Sequence, residues 1–343
     1  MKPTDFATHL TGYLGKYLPG QVGMSTNSIK SYRDTFKILL NYCKDIIGIS
    51  PEKLTLKHLN RELFEKFLLW IESERKCSVS TRNQRLAAIH SFFKYLQDVS
   101  PEHILLCQEV LSIHTKKHPR PAVNYLTIDG IRSILSKPDT KTENGRRDLV
   151  LLSLLYDTGA RVQEIADIVV SDVRLTEPPT IKLTGKGQKS RIVPLTGQTA
   201  NLLRGYIIEK KMDKPEYKPF PLFCNRNKQK LTRSGISFIL DKYVTMACSS
   251  TPEYIPVSVT PHCFRHSKAM HLLQAGINLI YIRDLLGHVD IKVTEIYARA
   301  DAEMKRKALL LASGNITPSD LPPWQADGDL ASWLKHLCGN CTE

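Results

Sequence analysis

The stretch TPHCFRHSKAMHLLQAGINLIYIRDLLGHVDIKVTEIY, residues 260–297, indicates how the second half of the chain folds. It opens with a helix-start signal, a threonine suited to be N-cap followed by proline at the first helical position. His262, Arg265 and His266 come next, at spacings of three and four residues. Residues at these spacings share one face of a helix, so the three side chains are predicted to lie together.

Two glycines divide the rest of this stretch into further short helices. Gly276 and Gly287 each fit the left-handed residue that commonly follows a helix. His288 then falls in a loop, where its ring is free to point into a site, and Tyr297 falls in a third helix over residues 291–299. Three short helices thus present histidines, an arginine and a tyrosine, a set that can hold a phosphate and attack it.

An apolar segment upstream is predicted to hold a second arginine. A helix over residues 145–156 contains LVLLSLLY, and Arg161 follows it at the start of another short helix, with Glu164 one turn further on. Residues 181–193 then alternate around a turn rich in glycine and lysine, which predicts a β-hairpin with Lys186 near its tip.

These residue types suit the transfer of a phosphodiester. Arg161 and Arg265 can hold its non-bridging oxygens, because guanidinium is always charged and its fork matches phosphate. Fixed cations stabilise the added negative charge of the transition state. Tyr297 can form a covalent ester and later leave, since its pKa of ~10 makes phenolate a usable nucleophile and leaving group.

The remaining polar residues supply proton transfer and support. We expect His262 to be the general base for the tyrosine and Lys186 the general acid for the departing 5′-oxygen. His288 can donate a hydrogen bond to the phosphate, and Glu164 can orient His262 or the arginines. No metal or other cofactor is predicted, because arginines replace the divalent cations of other phosphoryl-transfer sites.

Composition and charge point to a nucleic-acid partner. The 343 residues carry a formal net charge of +14, with a pI of about 9.3, which suggests a polyanion such as DNA first and an anionic membrane second. No apolar run approaches the ~20 residues of a membrane-spanning helix, and the first residues lack the apolar core of a signal peptide, so a cytoplasmic protein is expected. The terminal pair Cys338 and Cys341 has no second pair or histidine partner and is weak support for zinc.

Length favours two domains. The predicted organisation is a helical DNA-binding domain at 1–111, a basic linker at 112–125, a catalytic domain at 126–312 and a tail at 313–343. Apolar periodicity in the first domain predicts helices over 4–18, 26–47, 61–74 capped by Asn60, 81–98 capped by Ser80, and one from Pro101.

Basic side chains outside the catalytic set are candidates for DNA contact. Lysine and arginine neutralise backbone phosphates without reading sequence, although an ordinary solvated face is the alternative. On the hairpin, two of these residues also compete with Lys186 for the general-acid role. The candidates are Arg82, Arg85, Lys94, Lys116, Lys117, Lys189 and Arg191.

Taken together, five segments resemble the boxes of the tyrosine recombinase (phage integrase) family. They are ARVQE at 160–164, the Lys186 hairpin, HCFRH at 262–266, LLGH at 285–288 and TEIY at 294–297. The resemblance implies a mainly α fold with a small β-sheet: an all-helical core-binding domain and an α+β catalytic domain that form a C-shaped clamp on double-stranded DNA. It also implies a 3′-phosphotyrosyl intermediate and a homotetramer that synapses two duplexes, leading to DNA integration or transposition of a mobile element. In that family a C-terminal segment often packs into a neighbouring subunit, and the tail at 313–343 could do so.

Two other functions remain open at this point. A type IB topoisomerase has a similar site but relaxes one duplex as a monomer. A DNA-binding regulator could keep the fold without the chemistry, although the complete catalytic set argues against it.

Overall fold

The computed structural model describes residues 2–117, 123–256, 258–288, 290–300 and 330–331, without the side chains at 186, 292, 293 and 298–300. The chain divides into two compact units, residues 1–121 and 122–343. The first has a core rich in aromatic rings and the second a core dominated by leucine, isoleucine and valine. Among the described residues, no helix is long and apolar enough to cross a membrane.

The first unit is helical in its described part, as the sequence predicts. Its centre is a cluster of rings in which Phe36 and Phe92 lie edge to face, 5.3 Å between centroids. Edge-to-face contacts of this kind stabilise beyond the area that they bury. The helices are α1 (Asp5–Gly12), α2 (Thr26–Tyr42), α3 (Arg61–Ser73), α4 (Val79–Val99) and α5 (Ile104–Leu111).

Two predicted bounds in this unit are wrong. Ser78, rather than Ser80, caps α4, because its hydroxyl accepts the N–H of Thr81 at 3.2 Å. The helix predicted over 4–18 is α-helical only to Gly12 and continues as a π-helical segment to Gln21. That segment contains Pro19, which has no N–H to give to an α-helical hydrogen bond.

The second unit combines helices with one small sheet. The helices are α6 (Ile128–Leu135), α7 (Glu143–Asp157), α8 (Val162–Asp167), α9 (Gly197–Glu209), α10 (Arg233–Ser250), α11 (Pro261–Gln274), α12 (Leu279–Leu286) and α13 (Ile291–Ala300). The strands are β1 (Val173–Arg174), β2 (Thr180–Thr184) and β3 (Ser190–Pro194), antiparallel in the order β1-β2-β3. The predicted hairpin is confirmed, whereas β1 is too short to show any alternation in the sequence.

The register of the hairpin decides which side chains face the core. Leu183 of β2 is opposite Arg191 of β3, and Leu183 is fully buried. Directly opposed residues lie on the same face of a sheet, so Arg191 is directed inward with Val193. Ile192, between them, is 72% exposed.

A sharp turn after α7 brings its end against α12. Gly159 has φ +57°, and a Cβ there would lie 2.7 Å from Leu286 Cδ2. Only glycine fits this combination of left-handed backbone and close approach. The turn delivers Arg161 to the start of α8.

The last three described helices follow the prediction closely. Gly276 and Gly287 have φ +81° and +66°, the left-handed conformations expected at their helix ends. Thr260 precedes α11 as predicted, but its hydroxyl contacts Cys263 Sγ at 3.4 Å instead of capping a backbone N–H. Helices α11, α12 and α13 pack around a small core that includes Tyr297. The helix predicted at 301–311, the docking of the tail and the Cys338/Cys341 pair lie outside the described residues.

Candidate active site

Arg161 stands at the N-terminus of α8, where Glu164 reaches back to it. The carboxylate accepts the Arg161 backbone N–H at 2.8 Å and its Nη1 at 2.9 Å. The Arg161 side chain is nevertheless 43% exposed. It therefore keeps donors free to meet a ligand from solvent.

Glu164 is buried between two arginines. Arg191 pairs with it in a bidentate fashion, with Nη1–Oε1 at 3.0 Å and Nη2–Oε2 at 2.8 Å. Burial alone would raise the pKa of Glu164, but the hydrogen bonds and charge of Arg191, together with Arg161, lower it to about 2. The expectation that Glu164 orients an arginine agrees with this geometry, whereas the described contacts include no hydrogen bond from His262 to the carboxylate.

Arg265 is almost fully buried under the site. Its Nη1 donates to the carbonyl of Gly159 at 2.8 Å and its Nη2 to that of Leu286 at 2.7 Å. Burial and the nearby charge of Arg161 lower the pKa of Arg265 to about 10, so the guanidinium stays charged at neutral pH. Arg265 thus fixes the turn after α7 to the end of α12 while keeping its positive charge in the site.

His262 and His266 lie in contact, edge to face, on the same side of α11, as their spacing predicts. Their ring centroids lie 4.3 Å apart at a steep angle. Partial desolvation, with repulsion from Arg265 and Arg161, lowers the pKa of His262. Burial, with repulsion from His262 and Arg265, lowers the pKa of His266 to about 4. His266 is therefore neutral at pH 7 and able to accept a proton, and the lowered pKa of His262 also favours its neutral form.

The hydroxyl of Tyr297 contacts His266, not His262. His266 Nδ1 lies 2.9 Å from the hydroxyl oxygen, and the two ring centroids are 5.5 Å apart. The tyrosine is 2% exposed, and this burial raises its pKa, although Arg265 and Arg161 act in the opposite direction. From the sequence, His266 was predicted to share a helix face with His262 and Arg265, but it was given no catalytic role. Its position one turn after His262, on the same helix face, is the feature of the sequence that could have indicated a role in the site.

His288 follows Gly287 and faces the tyrosine. Its Nδ1 lies 2.9 Å from Thr294 Oγ1, and its ring is stacked 6.4 Å from that of Tyr297. Burial and repulsion from Arg265, Arg161 and other neighbouring cations lower the pKa of His288 to about 4. His288 thus belongs to the same constellation, as predicted, and its hydrogen bond to Thr294 orients the ring.

Lys186 lies in the turn between β2 and β3, where the sequence places it, but its side chain is outside the described atoms. The backbone beside it comes close to the site. A Cβ on the preceding residue, Gly185, would lie 2.9 Å from Glu164 Oε1. The hairpin turn therefore begins next to the buried carboxylate.

The predicted DNA-binding residues divide into two groups. Arg82, predicted to contact DNA or to lie on a solvated face, is only 6% exposed and donates to the carbonyl of His114. Arg85 donates to Ser31 and Thr35 on α2, and Arg191 is directed into the site. In each case the guanidinium donates to groups inside the protein. The charge of an arginine does not predict such internal contacts. The exposed members are Lys94, Lys116, which pairs with Glu72, Lys117 and Lys189.

A groove of about 870 Å³ opens beside Arg161 and His262. Its far wall is the first two turns of α10, for which no functional role was predicted from the sequence. Arg233 and Phe238 lie on this wall, and Phe238 is 72% exposed. An exposed arginine and aromatic ring next to a cationic site form a surface suited to a nucleic acid.

Comparison with known proteins identifies the family. The model of the phage integrase family matches residues 124–304, and that of the phage integrase N-terminal SAM-like domain matches residues 11–98. The chain belongs to the phage integrase family. This family of tyrosine recombinases comprises enzymes of DNA strand exchange, so the predicted family and enzyme class are confirmed.

Full-length relatives agree with this assignment. The Sinorhizobium fredii protein y4rC, an integrase/recombinase by name, is 34% identical over 336 residues, 98% of this chain and 99% of y4rC. Tyrosine recombinase XerD of Listeria monocytogenes is 33% identical over 279 residues, 80% of this chain and 88% of XerD. These names favour recombination over the topoisomerase alternative.

Solved structures share the fold. The XerH site-specific recombinase bound to its difH substrate has a TM-score of 0.65 at 22% identity, covering 88% of this chain and 84% of XerH. The Tn1549 transposon integrase with transposon right end DNA has a TM-score of 0.66 at 17% identity, covering 88% of this chain and 98% of that one. The predicted fold, mainly α with a small sheet, is confirmed.

Proposed function

We propose that this tyrosine recombinase cuts and rejoins specific DNA sites through a covalent bond between Tyr297 and a 3′ phosphate. The observation that carries the proposal is the Tyr297 hydroxyl, held beside a neutral histidine within the field of Arg161 and Arg265. The tyrosine oxygen bonds to phosphorus while the bond to the 5′-oxygen breaks. Because one phosphoester replaces another, the reverse step rejoins a strand without ATP.

The histidine that contacts the hydroxyl is the better candidate for its proton. His266 is within hydrogen-bond distance of Tyr297, which is the geometric requirement for a general base. His262 contacts His266 edge to face from the more exposed side and can pass the proton on or bind the phosphate. An incoming phosphate would raise the pKa of both rings, since its negative charge favours the protonated form. The role first assigned to His262 thus moves to His266.

The other roles stay as the sequence suggested. Arg161, with its exposed guanidinium, and the buried Arg265 would share the non-bridging oxygens, and His288 would donate to one of them. Lys186 remains the proposed general acid for the 5′-oxygen, supported by the approach of its hairpin turn to Glu164. Its competitor Lys189 is exposed on the same hairpin. The proposed set draws its positive charge from arginine and lysine and includes no metal or other cofactor.

The duplex next to the cleaved phosphate would occupy the groove along α10. A net charge of +14 suits a DNA partner, and the exposed lysines of the first unit and linker would add phosphate contacts. The proposed domain roles are therefore DNA binding at 1–111, a basic linker at 112–125 and catalysis at 126–312. A DNA substrate also suits the cytoplasm of a bacterial or phage-infected cell.

We extend the proposal to a homotetramer on two duplexes, in which the tail at 313–343 docks on a neighbouring subunit. Tyr297 is 2% exposed in the single chain, so its hydroxyl has to be freed before it attacks DNA. We infer that assembly of the subunits on DNA releases the hydroxyl. The product would be integration or transposition of a mobile element, or another recombination between two sites.

A plasmid assay tests the function and separates it from the topoisomerase alternative. Supercoiled plasmids carrying one or two copies of DNA flanking the native gene would be incubated with the protein. Recombined circles from the two-site plasmid alone support the proposal. Relaxation of both plasmids without recombined product would overturn it.

A further inference from the structure

Arg191 donates a hydrogen bond from each of its three guanidinium nitrogens to groups inside the protein. Besides its two bonds to Glu164, its Nε donates to the carbonyl of Leu285 at 2.7 Å. The side chain is 13% exposed, against 43% for Arg161. With these contacts made, Arg191 is poorly placed to bind a DNA phosphate, which is the role predicted from its charge.

We propose that Arg191 is a positioning residue for strand cleavage: it holds Glu164 so that Arg161 remains available to the phosphate, and it fixes the backbone that leads to His288. The inference rests on the proposed function, since strand cleavage is the reaction that it serves. Neither part requires Arg191 to touch DNA.

The first part follows from how the two arginines share one carboxylate. Glu164 Oε1 accepts from Nη1 of both Arg161 and Arg191, and Oε2 accepts Nη2 of Arg191. A carboxylate whose side chain is 2% exposed needs counter-charge and hydrogen bonds close by. With Arg191 supplying the planar, bidentate partner, Arg161 gives up one side-chain N–H and keeps the rest. Without Arg191, Arg161 would be drawn fully onto Glu164 and away from the phosphate.

The second part follows from the end of α12. The last carbonyls of a helix lack intrahelical partners. Here Arg191 binds the carbonyl of Leu285 and Arg265 that of Leu286, so two arginines hold successive carbonyls. Gly287 comes next, where a Cβ would lie 2.9 Å from Arg191 Nη1. The residue after that is His288, so Arg191 helps to fix the loop that presents this ring.

The sharpest test compares the rate of adduct formation in Arg191→Met with that of a double variant that also carries Glu164→Gln. Arg191→Met should lower the single-turnover rate of covalent adduct formation by ~100-fold or more, the size seen when one catalytic electrostatic group is lost. DNA affinity at fixed salt should change by less than about 3-fold, because no phosphate contact is removed. Adding Glu164→Gln should raise the rate of the Arg191→Met protein about 10-fold, since a neutral amide no longer captures Arg161. Arg191→Lys keeps the charge but cannot form the bidentate pair, so its rate of adduct formation should lie between those of wild type and Arg191→Met.

The pH profile gives a second readout that a purely structural role would not move. In Arg191→Met the pKa of Glu164 should rise from about 2, because the hydrogen bonds and the charge of Arg191 that lower it are lost. The adduct rate of Arg191→Met relative to wild type should therefore increase as the pH falls towards this raised pKa, because a protonated Glu164 no longer captures Arg161. Carboxyl NMR of Glu164 in the free protein tests the same shift without DNA, so it separates this inference from the proposed function.

Lys189→Met is the matched control, an exposed cation two residues away on the same hairpin. It should leave the pKa of Glu164 unchanged. Arg191 would instead be a DNA contact if Arg191→Met weakened binding with a smaller salt dependence while cleavage at saturating DNA stayed at the wild-type rate. A double variant no faster than Arg191→Met, with an unshifted Glu164 pKa, would also overturn the proposal.

Discussion

His266 Nδ1 lies 2.9 Å from the hydroxyl of Tyr297, whereas the ring of His262 contacts His266 and, among the described contacts, not the tyrosine. Substitution His266→Asn should therefore reduce adduct formation by roughly 10²–10⁴-fold, the usual contribution of a general base. Single-turnover cleavage of a nicked substrate measures this. His262→Asn should reduce cleavage as well, because His262 either binds the phosphate or accepts the proton from His266.

The control for this pair is His271→Asn. His271 is a histidine of the same helix whose Nδ1 pairs with Tyr156 instead of the site. It should leave the rate of chemistry within a few-fold of wild type. A His266→Asn protein that cleaves at the wild-type rate, beside an inactive His262→Asn protein, would return the general-base role to His262.

Substitution of the buried arginine should affect both chemistry and folding. Arg265→Ala leaves the carbonyls of Gly159 and Leu286 without their donor, which costs about 1–3 kcal/mol per unsatisfied buried group. It also removes a fixed cation from the site, so cleavage should fall by ~10²-fold or more. Urea unfolding and adduct formation measure the two effects. Arg161→Ala, at an exposed side chain, should lose cleavage with a smaller loss of stability, and normal cleavage by both variants would contradict the assigned site.

Acid should destabilise the protein before its carboxylates titrate. The pKa values of His266 and His288 are about 4 in the folded protein, below the ~6.5 of an unfolded histidine. Between these values the unfolded state binds more protons, so stability falls as the pH drops through that window. The loss from pH 7 to pH 5 should be roughly 2 kcal/mol per histidine. Protonation of Glu164 adds to this loss of stability only below its unfolded pKa of about 4.5, as the pH falls towards 2.

Urea unfolding at pH 7 and pH 5 measures this slope. The double variant His266→Gln/His288→Gln should show a flatter dependence than wild type, whatever its stability at pH 7. His114→Gln, at an exposed position, serves as the control and should keep the wild-type slope. Equal slopes in the double variant and wild type would mean that these rings are not held neutral.

The groove along α10 should contribute to DNA binding without taking part in chemistry. Arg233→Ala should weaken binding and reduce the salt dependence by about one ion, as expected for one lost phosphate contact. Phe238→Ala should weaken binding with little change in salt dependence. Phe220→Ala, another exposed phenylalanine that does not line the groove, is the control. Fluorescence anisotropy at several salt concentrations distinguishes these results, and unchanged affinity in both groove variants would place the duplex elsewhere.

Much of the architecture was predictable from local sequence. Gly276 and Gly287 showed where helices end because few other residues accept a left-handed backbone. The alternation around Lys186 predicted a hairpin, and α11 was set by its proline and the spacing of His262, Arg265 and His266. In each case a short-range rule determines the structure.

What the sequence did not reveal depends on contacts distant in the chain. Arg191 and Lys189 are both cations on one hairpin, yet Arg191 pairs with Glu164, 27 residues away, because it opposes the buried Leu183. Arg82 likewise turns inward to a carbonyl 32 residues ahead. Charge and helical position cannot distinguish such side chains from solvated ones. The preference for His262 over His266 failed to anticipate the contact for the same reason, since the position of Tyr297 depends on how α13 packs.

The most direct test of the central claim is a denaturing-gel assay for a covalent protein–DNA adduct. Wild type, Tyr297→Phe and the control Tyr281→Phe, at a tyrosine that is 71% exposed, would be incubated with nicked suicide substrates carrying DNA that flanks the native gene. An adduct with wild type and Tyr281→Phe, unaffected by EDTA and lost in Tyr297→Phe while DNA binding persists, is the predicted result. An adduct that survives in Tyr297→Phe, or DNA binding by wild type with no adduct on any of these substrates, would contradict the account, the second pointing to a regulator that keeps only the fold.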